Sequence, residues 1–532
     1  MVNHHHDVPF RLLDKQYTFT ANDGTPTNST ANRIIHGDNL EALKSLLPEF
    51  EGKVNCIYID PPYNTGEEGW RYNDNVNDPK IKKWLGQLVG KEGEDLSRHD
   101  KWLCMMFPRL KLLHRLLANS GVIFVSIDDN EIATLRLVLD EIFGAANFVT
   151  TFIWEKRKNR ENRKMISSRH DYVLCYGKNK AANKNLIKPL PMDEAALARY
   201  TNIDNDPRGL WKSDPATAQA GHATENQFYV LTAPNGKKHS LPSGRCWIYT
   251  EDVMNEMIRD EKIWFGAHGN NVPRVKTYLD AKDRSLVPET ILFADDVSTN
   301  ENAKNDLKRI FHAESVFETP KPKELVAHLL KLATNNDALI LDSFAGSGCT
   351  ADAVLTLNKT TGSNRRFILC ETLDYAETIT AERVRRVMNG YGEGSKAVSG
   401  TGGGFDYYTV GVALFNEDNN LNEEVGENAI RDYVAYTENI PAEMQCSKEG
   451  SVSRYALGVS DTVLWLFYYE LDHITTLNLD FLAELNINAL LENGGKRPEQ
   501  FVIYADKCAL EKDFLYKHGI TFKRIPRDIT RF

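Results

Sequence analysis

The sequence of 532 residues lacks several features that would place it in a specialised class of proteins. No uncharged apolar run approaches the roughly 18 residues that a membrane-spanning helix requires, and residues 1–10 do not have the pattern of a signal peptide. The eight cysteines are widely separated and form no Cys-x-x-Cys pair, so neither a zinc site nor a disulfide framework is predicted. With 42% hydrophobic and 26% charged residues, the composition is that of a folded protein. We therefore expect a cytoplasmic protein without a membrane segment and without a bound metal.

The chain as a whole also lacks the excess of positive charge that is common in proteins that bind nucleic acids. Its formal net charge is −10, but residues 411–532 alone contain 20 acidic and 12 basic residues. Residues 155–170, in contrast, contain seven basic residues and two acidic ones. Such a local strip can neutralise phosphates even in an acidic protein, although it can also be an ordinary solvated loop. The residues predicted to contact nucleic-acid phosphates are Arg157, Lys158, Arg160, Arg163 and Lys164.

Short apolar strands alternate with amphipathic helices in two separate stretches of the chain. In the first stretch, strand patterns end at Asp60 and Ile127, and in the second they end at Asp342 and Glu371. Alternating βαβ units predict an α/β fold with a mainly parallel sheet that is covered by helices. The intervening residues 179–315 are rich in Asn, Asp, Pro and Gly and lose this alternation, which indicates an inserted domain.

These patterns predict six segments in the chain. A Gly- and Ser-rich stretch over residues 391–405 has the composition of a mobile loop or linker, and an acidic module with strand and helix patterns follows it. The predicted segments are an N-terminal arm (1–30), the first α/β half (31–178), the insertion (179–315), the second α/β half (316–390), the linker (391–410) and a C-terminal α+β interaction module (411–532).

The tetrapeptide Asp60-Pro61-Pro62-Tyr63 follows a buried strand, at the edge of an α/β sheet where ligands bind. Two consecutive prolines stiffen the turn and remove two backbone donors, which leaves carbonyl acceptors beside a carboxylate and an aromatic ring. Such a group suits a flat base with an exocyclic amine. Asp60 and the Pro61 carbonyl accept its two hydrogens, which frees the nitrogen lone pair, while Tyr63 stacks on the ring. The alternative is a turn whose prolines are purely structural.

A glycine-rich turn between a strand and a helix, LDSFAGSGCT, contains Gly346 and Gly348 and resembles turns that let a backbone approach a ligand closely. It is neither a G-x-G-x-x-G fingerprint nor a phosphate-binding loop with Gly-Lys-Ser/Thr. Glu371 ends the next strand, where a carboxylate is positioned to hold two ribose hydroxyls and would repel a 2′-phosphate. These residues therefore favour a nucleoside cofactor without phosphates.

Several motifs in this order resemble the DNA adenine-N6 methyltransferases of the β arrangement, and especially the modification (Mod) subunits of type III restriction–modification systems. The similarity extends over residues 30–390. The matching segments are HGDNLEAL (36–43), YIDPPYNTG (58–66), FPRLKL with GVIFVSIDDNE (107–131), HDYVLCYGK (170–178), TPKPKELV (319–326), DSFAGSGCT (342–350) and FILCE (367–371).

The resemblance implies a Rossmann-like methyltransferase sheet flanked by helices and permuted, with the catalytic half before the cofactor half and an inserted target-recognition domain. It implies S-adenosyl-L-methionine as the methyl donor, with Asp60, Pro61, Pro62 and Tyr63 as the catalytic residues. Asp38 is expected near the cofactor adenine, with a helix cap as its alternative role. The other residues that the resemblance assigns to the cofactor are Thr319, Lys321, Asp342, Phe344, Gly346, Gly348 and Glu371.

By the same resemblance, the expected function is site-specific methylation of N6 of a flipped-out adenine, as the modification subunit of a restriction–modification or related phage-defence system. The expected partners are double-stranded DNA, a second copy of the chain and a helicase–nuclease restriction subunit, since the chain has no helicase motif of its own. Cytosine-N4 methylation and a catalytically silent DNA-specificity subunit are the alternatives.

Overall fold

The computed structural model describes residues 8–21, 31–65, 98–161, 165–183, 185–279, 285–313, 316–416, 418–446, 452–489, 496–527 and 529. The chain divides into two compact units, of which the first combines Met1–Ile187 with Glu289–Phe532 and the second is Lys188–Pro288. Arg163 and Lys164, which the sequence predicts as phosphate contacts, lie outside the described residues.

The elements are numbered in chain order. The strands are β1 (Arg11–Thr20), β2 (Arg33–His36), β3 (Val54–Ile59), β4 (Leu117–Ile127), β5 (Phe148–Glu155), β6 (His170–Gly177), β7 (Leu190–Pro191), β8 (Trp211–Pro215), β9 (Thr217–Gln219), β10 (Leu231–Thr232), β11 (Lys238–His239), β12 (Arg245–Trp247), β13 (Ile263–Trp264), β14 (Arg274–Tyr278), β15 (Ser285–Leu286), β16 (Ile291–Leu292), β17 (Leu339–Asp342), β18 (Arg366–Glu371), β19 (Gly390–Tyr391), β20 (Val398–Ser399), β21 (Gly404–Ala413), β22 (Ala456–Val459), β23 (Val463–Phe467), β24 (Thr476–Leu477), β25 (Gln500–Ala505), β26 (Lys507–Cys508) and β27 (Ile520–Arg524). The α-helices are α1 (Asn39–Phe50), α2 (Arg98–Leu116), α3 (Ile132–Leu139), α4 (Glu194–Leu197), α5 (Glu251–Arg259), α6 (Ala294–Val297), α7 (Asn300–Phe311), α8 (Lys323–Ala333), α9 (Cys349–Thr361), α10 (Glu382–Asn389), α11 (Glu427–Thr437), α12 (Leu479–Glu484) and α13 (Lys512–Lys517).

Ten strands of the first unit form one sheet in the order β1-β21-β2-β18-β17-β3-β4-β6-β5-β16. The six neighbouring strands from β21 to β4 are parallel, whereas β1 and β6 run antiparallel to their neighbours. Short apolar runs such as β3 and β17 are typical of parallel strands that are covered on both faces. Two groups of helices, α1 with α2 and α8 with α9, pack together beside these strands. The structure thus confirms the predicted α/β class and its mainly parallel sheet.

The two α/β stretches meet where β3 and β17 lie side by side, with Cys56 opposite Ile340 and Ile57 opposite Leu341. On the other side, β17 pairs with β18, and β18 pairs with β2 in the same direction. The carboxyl ends of these four strands therefore lie at one edge of the sheet, which is the edge where open α/β folds bind ligands. This arrangement brings the Asp60 turn and the Asp342 turn together.

Strand β21 differs from the sequence-based expectation, because residues 404–410 of the predicted linker belong to it. It lies between β1 and β2, so residues 11–20 of the predicted N-terminal arm also enter the sheet. Phe405 is fully buried and packs against Phe19 and Tyr17. The prediction relied on the glycines of residues 391–403, whereas the partner strands of β21 are almost the whole chain length away and leave no local signal.

Phe405→Ala should therefore lower the free energy of unfolding by about 3–5 kcal/mol, the usual cost of truncating a buried phenylalanine. Urea-induced unfolding followed by tryptophan fluorescence measures this loss. Val412→Ala is the matched control, since Val412 lies in the same strand but is exposed. A loss below 0.5 kcal/mol for Phe405→Ala, the usual range for surface positions, would contradict the placement of this strand.

The C-terminal residues form a four-stranded sheet in the order β22-β23-β25-β27, and they belong to the first unit. The last three of these strands are parallel, and α13 connects β25 with β27. Tyr436 of α11 donates a hydrogen bond to Glu51 (2.6 Å) and accepts one from Arg115 (2.6 Å). These bonds tie the C-terminal module to α1 and α2.

The second unit consists of small antiparallel sheets around its own core. Trp247 is buried in this core and Trp211 is buried beside the partly buried Trp264. The three tryptophans therefore serve mainly to pack this small unit.

Within the described residues, no helix is both long and apolar enough to cross a membrane. All eight cysteines are free thiols.

Candidate active site

The turn after β3 holds the predicted catalytic residues in a fixed geometry. Asp60 directly follows the strand, and the backbone then passes through Pro61 and Pro62. The indole nitrogen of Trp102 in α2 donates a hydrogen bond to the Pro62 carbonyl (2.7 Å). No described residue donates to the Pro61 carbonyl, so this oxygen is the acceptor that the turn offers to a ligand.

The two oxygens of the Asp60 carboxylate differ in their hydrogen bonding. Its Oδ2 accepts a hydrogen bond from the ammonium group of Lys321 (2.6 Å). Its Oδ1 is buried and has no hydrogen-bond partner among the described residues. Burial, followed by the charge and the proximity of Asp60, raises the pKa of Tyr63 well above its usual value, so the phenol is neutral. Residues 60–63 thus form a corner with a buried polar atom that lacks a partner, which is costly unless a ligand pairs with it.

A buried acidic residue that follows β4 is hydrogen-bonded to the residue next to this corner. Glu131, which follows that strand, is fully buried and accepts hydrogen bonds from the Asn64 side chain (2.5 Å) and from His99 (2.7 Å). Asn64 follows Tyr63 with a left-handed φ of 59°, a conformation that asparagine tolerates better than most residues. Sequence reasoning assigned no role to Glu131 or Trp102. For Glu131, the available signal was the acidic run DDNE after β4. For Trp102, the sequence contained no signal.

The glycine turn after β17 is organised by Asp342. Its carboxylate accepts hydrogen bonds from the Phe344 amide (3.0 Å) and the Thr350 hydroxyl (2.5 Å). Gly348 has a φ of 78°, and a Cβ at this position would lie 3.1 Å from the Thr380 carbonyl oxygen. Glycine is therefore required here for both conformation and space.

Glu371 closes the same turn from the neighbouring strand. One carboxylate oxygen accepts a hydrogen bond from the Gly346 amide (2.7 Å) and the other from the Leu373 amide (3.0 Å). Burial raises the pKa of Glu371 to about 7 and that of Asp342 to about 7. Near neutral pH, both carboxyl groups are poised between their charged and neutral forms, and a nearby cation favours the charged form.

Asp38 has the capping role that was the alternative for this residue. Its Oδ1 accepts hydrogen bonds from the amides of Leu40 (2.8 Å) and Glu41 (3.1 Å) at the start of α1. The next residue, Asn39, donates to the Ser343 carbonyl (2.8 Å) and accepts from the buried Arg109 (2.6 Å). The start of α1 is thereby fixed to the turn after β17. Contact of Asp38 with a cofactor stays a prediction.

Phe344, Thr319 and Lys321, which are also assigned to the cofactor, lie in three different environments. Phe344 is buried within the main hydrophobic core, and Thr319 is exposed. Lys321 has its ammonium group on Asp60, which belongs to the predicted catalytic corner. Lys323, two residues later, points to Asp352 instead (3.4 Å).

The basic strip is partly neutralised by acidic partners. Arg157 pairs with Glu161 (3.3 Å), and Lys158 pairs with Asp295. Among the described residues of the strip, Arg160 is exposed and has no ion pair. The free positive charge is therefore smaller than the sequence count suggests. In the described ranges, no group of three or more His, Cys, Asp or Glu side chains could hold a metal ion.

Comparison with known proteins gives a consistent result. A family model described as DNA methylase matches residues 54–382. The chain is 36% identical over 359 residues to the type III restriction-modification enzyme StyLTI Mod subunit of Salmonella typhimurium, an alignment that covers 65% of this chain and 53% of that protein. It is 32% identical over 370 residues to the type II methyltransferase M.KpnI of Klebsiella pneumoniae, with 65% and 82% covered.

The chain spans 53% to 62% of the length of three Mod subunits that it matches. The solved structure of the PvuII DNA methyltransferase (cytosine-N4-specific) aligns with 67% of this chain and 87% of its own, at 13% identity and a TM-score of 0.34. The sequence matches confirm the resemblance to DNA methyltransferases and Mod subunits.

Proposed function

Because the chain belongs to the DNA methylase family, we propose that it is a site-specific methyltransferase that transfers a methyl group from S-adenosylmethionine to N6 of adenine in DNA. The observation that carries this proposal is the corner at the end of β3. There, Oδ1 of Asp60 and the carbonyl oxygen of Pro61 are both unengaged among the described residues. Two fixed acceptors on one stiff turn suit an amino group with two hydrogens.

The second turn has the chemistry that the methyl donor needs. Gly346 and Gly348 both have a positive φ in the turn after β17, and the carboxyl groups of Asp342 and Glu371 accept hydrogen bonds from amides of this turn. We assign these four residues to the cofactor. When bound there, S-adenosylmethionine supplies a methyl group on a positively charged sulfur, which is an electrophile that needs no metal.

The corner would act on a base that has left the duplex, since an amino group inside stacked DNA cannot reach the edge of a sheet. Tyr63 replaces part of the lost stacking, which is worth about 1–3 kcal/mol per base. Asp60 Oδ1 and the Pro61 carbonyl would each accept one hydrogen of the amine, so that its nitrogen becomes tetrahedral and its lone pair is free to attack. As the new N–C bond forms and the donor's C–S bond breaks, the nitrogen would release one of these hydrogens to water as a proton. Catalysis then rests on position and on preorganised acceptors, without a covalent intermediate.

The same acceptors would also fit the amino group of cytosine. Adenine is proposed because Asp precedes the two prolines, as in the adenine-modifying members of the family that this chain resembles, and because the relatives include Mod subunits. Cytosine-N4 methylation is the second candidate. A catalytically silent DNA-specificity subunit is the third, and the intact corner and glycine turn argue against it.

We propose double-stranded DNA as the partner, a restriction subunit as a further partner, and a homodimer as the assembly. The insertion between the two α/β halves is the proposed target-recognition domain. Arg157, Lys158 and Arg160 are proposed to contact phosphates. Arg163 and Lys164 complete this proposed strip. The C-terminal module is proposed as the protein-contact region, and a cytoplasmic location stays a prediction.

The function is tested by incubating the purified protein with labelled S-adenosylmethionine and unmethylated genomic DNA, followed by digestion to nucleosides. We expect the label in N6-methyl-2′-deoxyadenosine. Label in N4-methyl-2′-deoxycytidine would establish the second candidate instead. DNA that is bound but never labelled would favour the silent specificity subunit.

The two carboxyl groups of the cofactor turn predict a pH dependence of binding. Since the pKa values of Asp342 and Glu371 are raised to about 7, both groups are mostly protonated at pH 6 and mostly ionised at pH 8. Each group that must be ionised for binding therefore weakens the binding of S-adenosylmethionine roughly 10-fold at pH 6 relative to pH 8, so the two together predict a loss of up to about 100-fold. Calorimetry measures this loss. Glu371→Gln should remove one of the two contributions, and a pH dependence that is unchanged in Glu371→Gln would contradict the assignment.

A further inference from the structure

Lys321 occupies an unusual position for a lysine. It stands between Pro320 and Pro322 immediately before α8, and both prolines are buried. Its own side chain is only 7% exposed. The ammonium nitrogen lies 2.6 Å from Oδ2 of Asp60 and 4.8 Å from the centre of the Tyr63 ring. The flanking prolines restrict the backbone, so the ammonium group is held where it is.

The charges around Lys321 come from several elements of the sheet. Asp171 of β6 lies nearby and is itself paired with Lys156, which follows β5 (2.6 Å). Asp342 of β17 adds a further carboxyl group close to Asp60. Despite burial, Asp60 and Asp171 raise the pKa of Lys321, so it is a cation at neutral pH. Among the described residues, Lys321 is the cation that pairs with Asp60.

We propose that Lys321 is a positioning residue for Asp60, which it orients so that Oδ1 accepts a hydrogen bond from the target amine. This inference rests on the proposed function. The ammonium group engages Oδ2 (2.6 Å), and Oδ1 has no hydrogen-bond partner among the described residues. The ion pair thereby fixes which carboxylate oxygen is left for the amine.

This role differs from the one that the family resemblance assigns to Lys321, which is contact with the methionine part of the cofactor. The two roles predict opposite results for Lys321→Met. Loss of a cofactor contact weakens cofactor binding and leaves the rate at saturation. Loss of a positioning residue leaves the affinity for the cofactor unchanged and lowers the rate at saturation.

The experiment compares the full-length wild type with Lys321→Met, Lys321→Arg and Lys323→Met. Calorimetry gives the affinity for S-adenosylmethionine, and single-turnover transfer of labelled methyl to unmethylated genomic DNA gives the rate at pH 7. For Lys321→Met we expect an affinity within about twofold of wild type and a rate at least about 10-fold lower. Lys321→Arg should restore most of the rate, and Lys323→Met should lower it much less than Lys321→Met, because Lys323 pairs with Asp352.

Two results would overturn the proposal. One is a tenfold loss of affinity in Lys321→Met with an unchanged saturated rate, and the other is a rate in Lys321→Arg that is as low as in Lys321→Met. A measurement without turnover separates this inference from the proposed function. Acetylation of Lys321 by acetic anhydride, read by mass spectrometry, should be slow in wild type and at least several-fold faster in Asp60→Asn. Equal labelling of the two proteins would overturn the role of Lys321, whether or not the wild type methylates DNA. Absence of methylation by the wild type would count against the proposed function alone.

Discussion

Asp60→Ala is expected to lower the rate of methyl transfer by at least about 10³-fold while the affinity for S-adenosylmethionine changes by less than about threefold. A preorganised acceptor at the reacting atom is typically worth a factor of 10² to 10⁴ in rate. Asp60 lies on the β3 turn, whereas the proposed cofactor residues lie on β17 and β18, so binding of the donor should survive. Single-turnover assays and calorimetry measure the two quantities.

Asp337→Ala is the matched control for this variant. Asp337 is exposed and precedes β17 at the opposite edge of the sheet, so the same chemical change should leave the rate within about twofold. Asp60→Asn keeps one acceptor oxygen and should be less impaired than Asp60→Ala. Normal turnover in Asp60→Ala would refute the proposed chemistry of the corner.

Asp352→Ala is expected to destabilise the first unit by about 3–5 kcal/mol, because it leaves the charge of Arg383 buried without its partner. Asp352 and Arg383 are 1% and 2% exposed, and their side chains are 2.9 Å apart. Arg383 also donates to the hydroxyl of Ser347 within the glycine turn (3.0 Å). The variant should therefore bind S-adenosylmethionine more weakly as well as unfold at lower urea concentrations.

The double variant Asp352→Ala with Arg383→Met provides the control. Because it removes both buried charges, it should recover a substantial part of the lost stability. It should not recover the affinity, since the hydrogen bond to Ser347 is still missing. A loss below about 1 kcal/mol for Asp352→Ala would show that Arg383 has another way to satisfy its charge.

Local sequence patterns are sufficient to predict the strands of the sheet and the turns that follow β3 and β17. The apolar runs that end at Asp60, Asp342 and Glu371 predict buried strands, and each is a strand of the parallel sheet. The consecutive prolines and the spaced glycines mark turns through restrictions on φ that act within a few residues. Such features can be predicted from the sequence because their physical cause lies within a few neighbouring residues.

Other features depend on pairs that are distant in the chain. Phe405 looks like the end of a linker until its strand is seen beside β1 and β2. Lys321 and Asp60 are separated by 261 positions, and no local pattern indicates that their side chains meet. The acidic partner of Lys158 likewise comes from residue Asp295, so a count of charges along the strip overstates its free charge.

The amino-acid sequence by itself determined which residues could carry the chemistry, because a stiff proline corner, a bare glycine turn and a carboxylate after a strand are properties of short segments. Only the tertiary structure decided how those segments act together. The parallel pairing of β3 with β17 sets the two turns side by side, and the burial of Lys321 against Asp60 leaves one carboxylate oxygen open. Strand pairing and ion pairing are contacts between distant residues, and the free energy that selects them belongs to the folded chain.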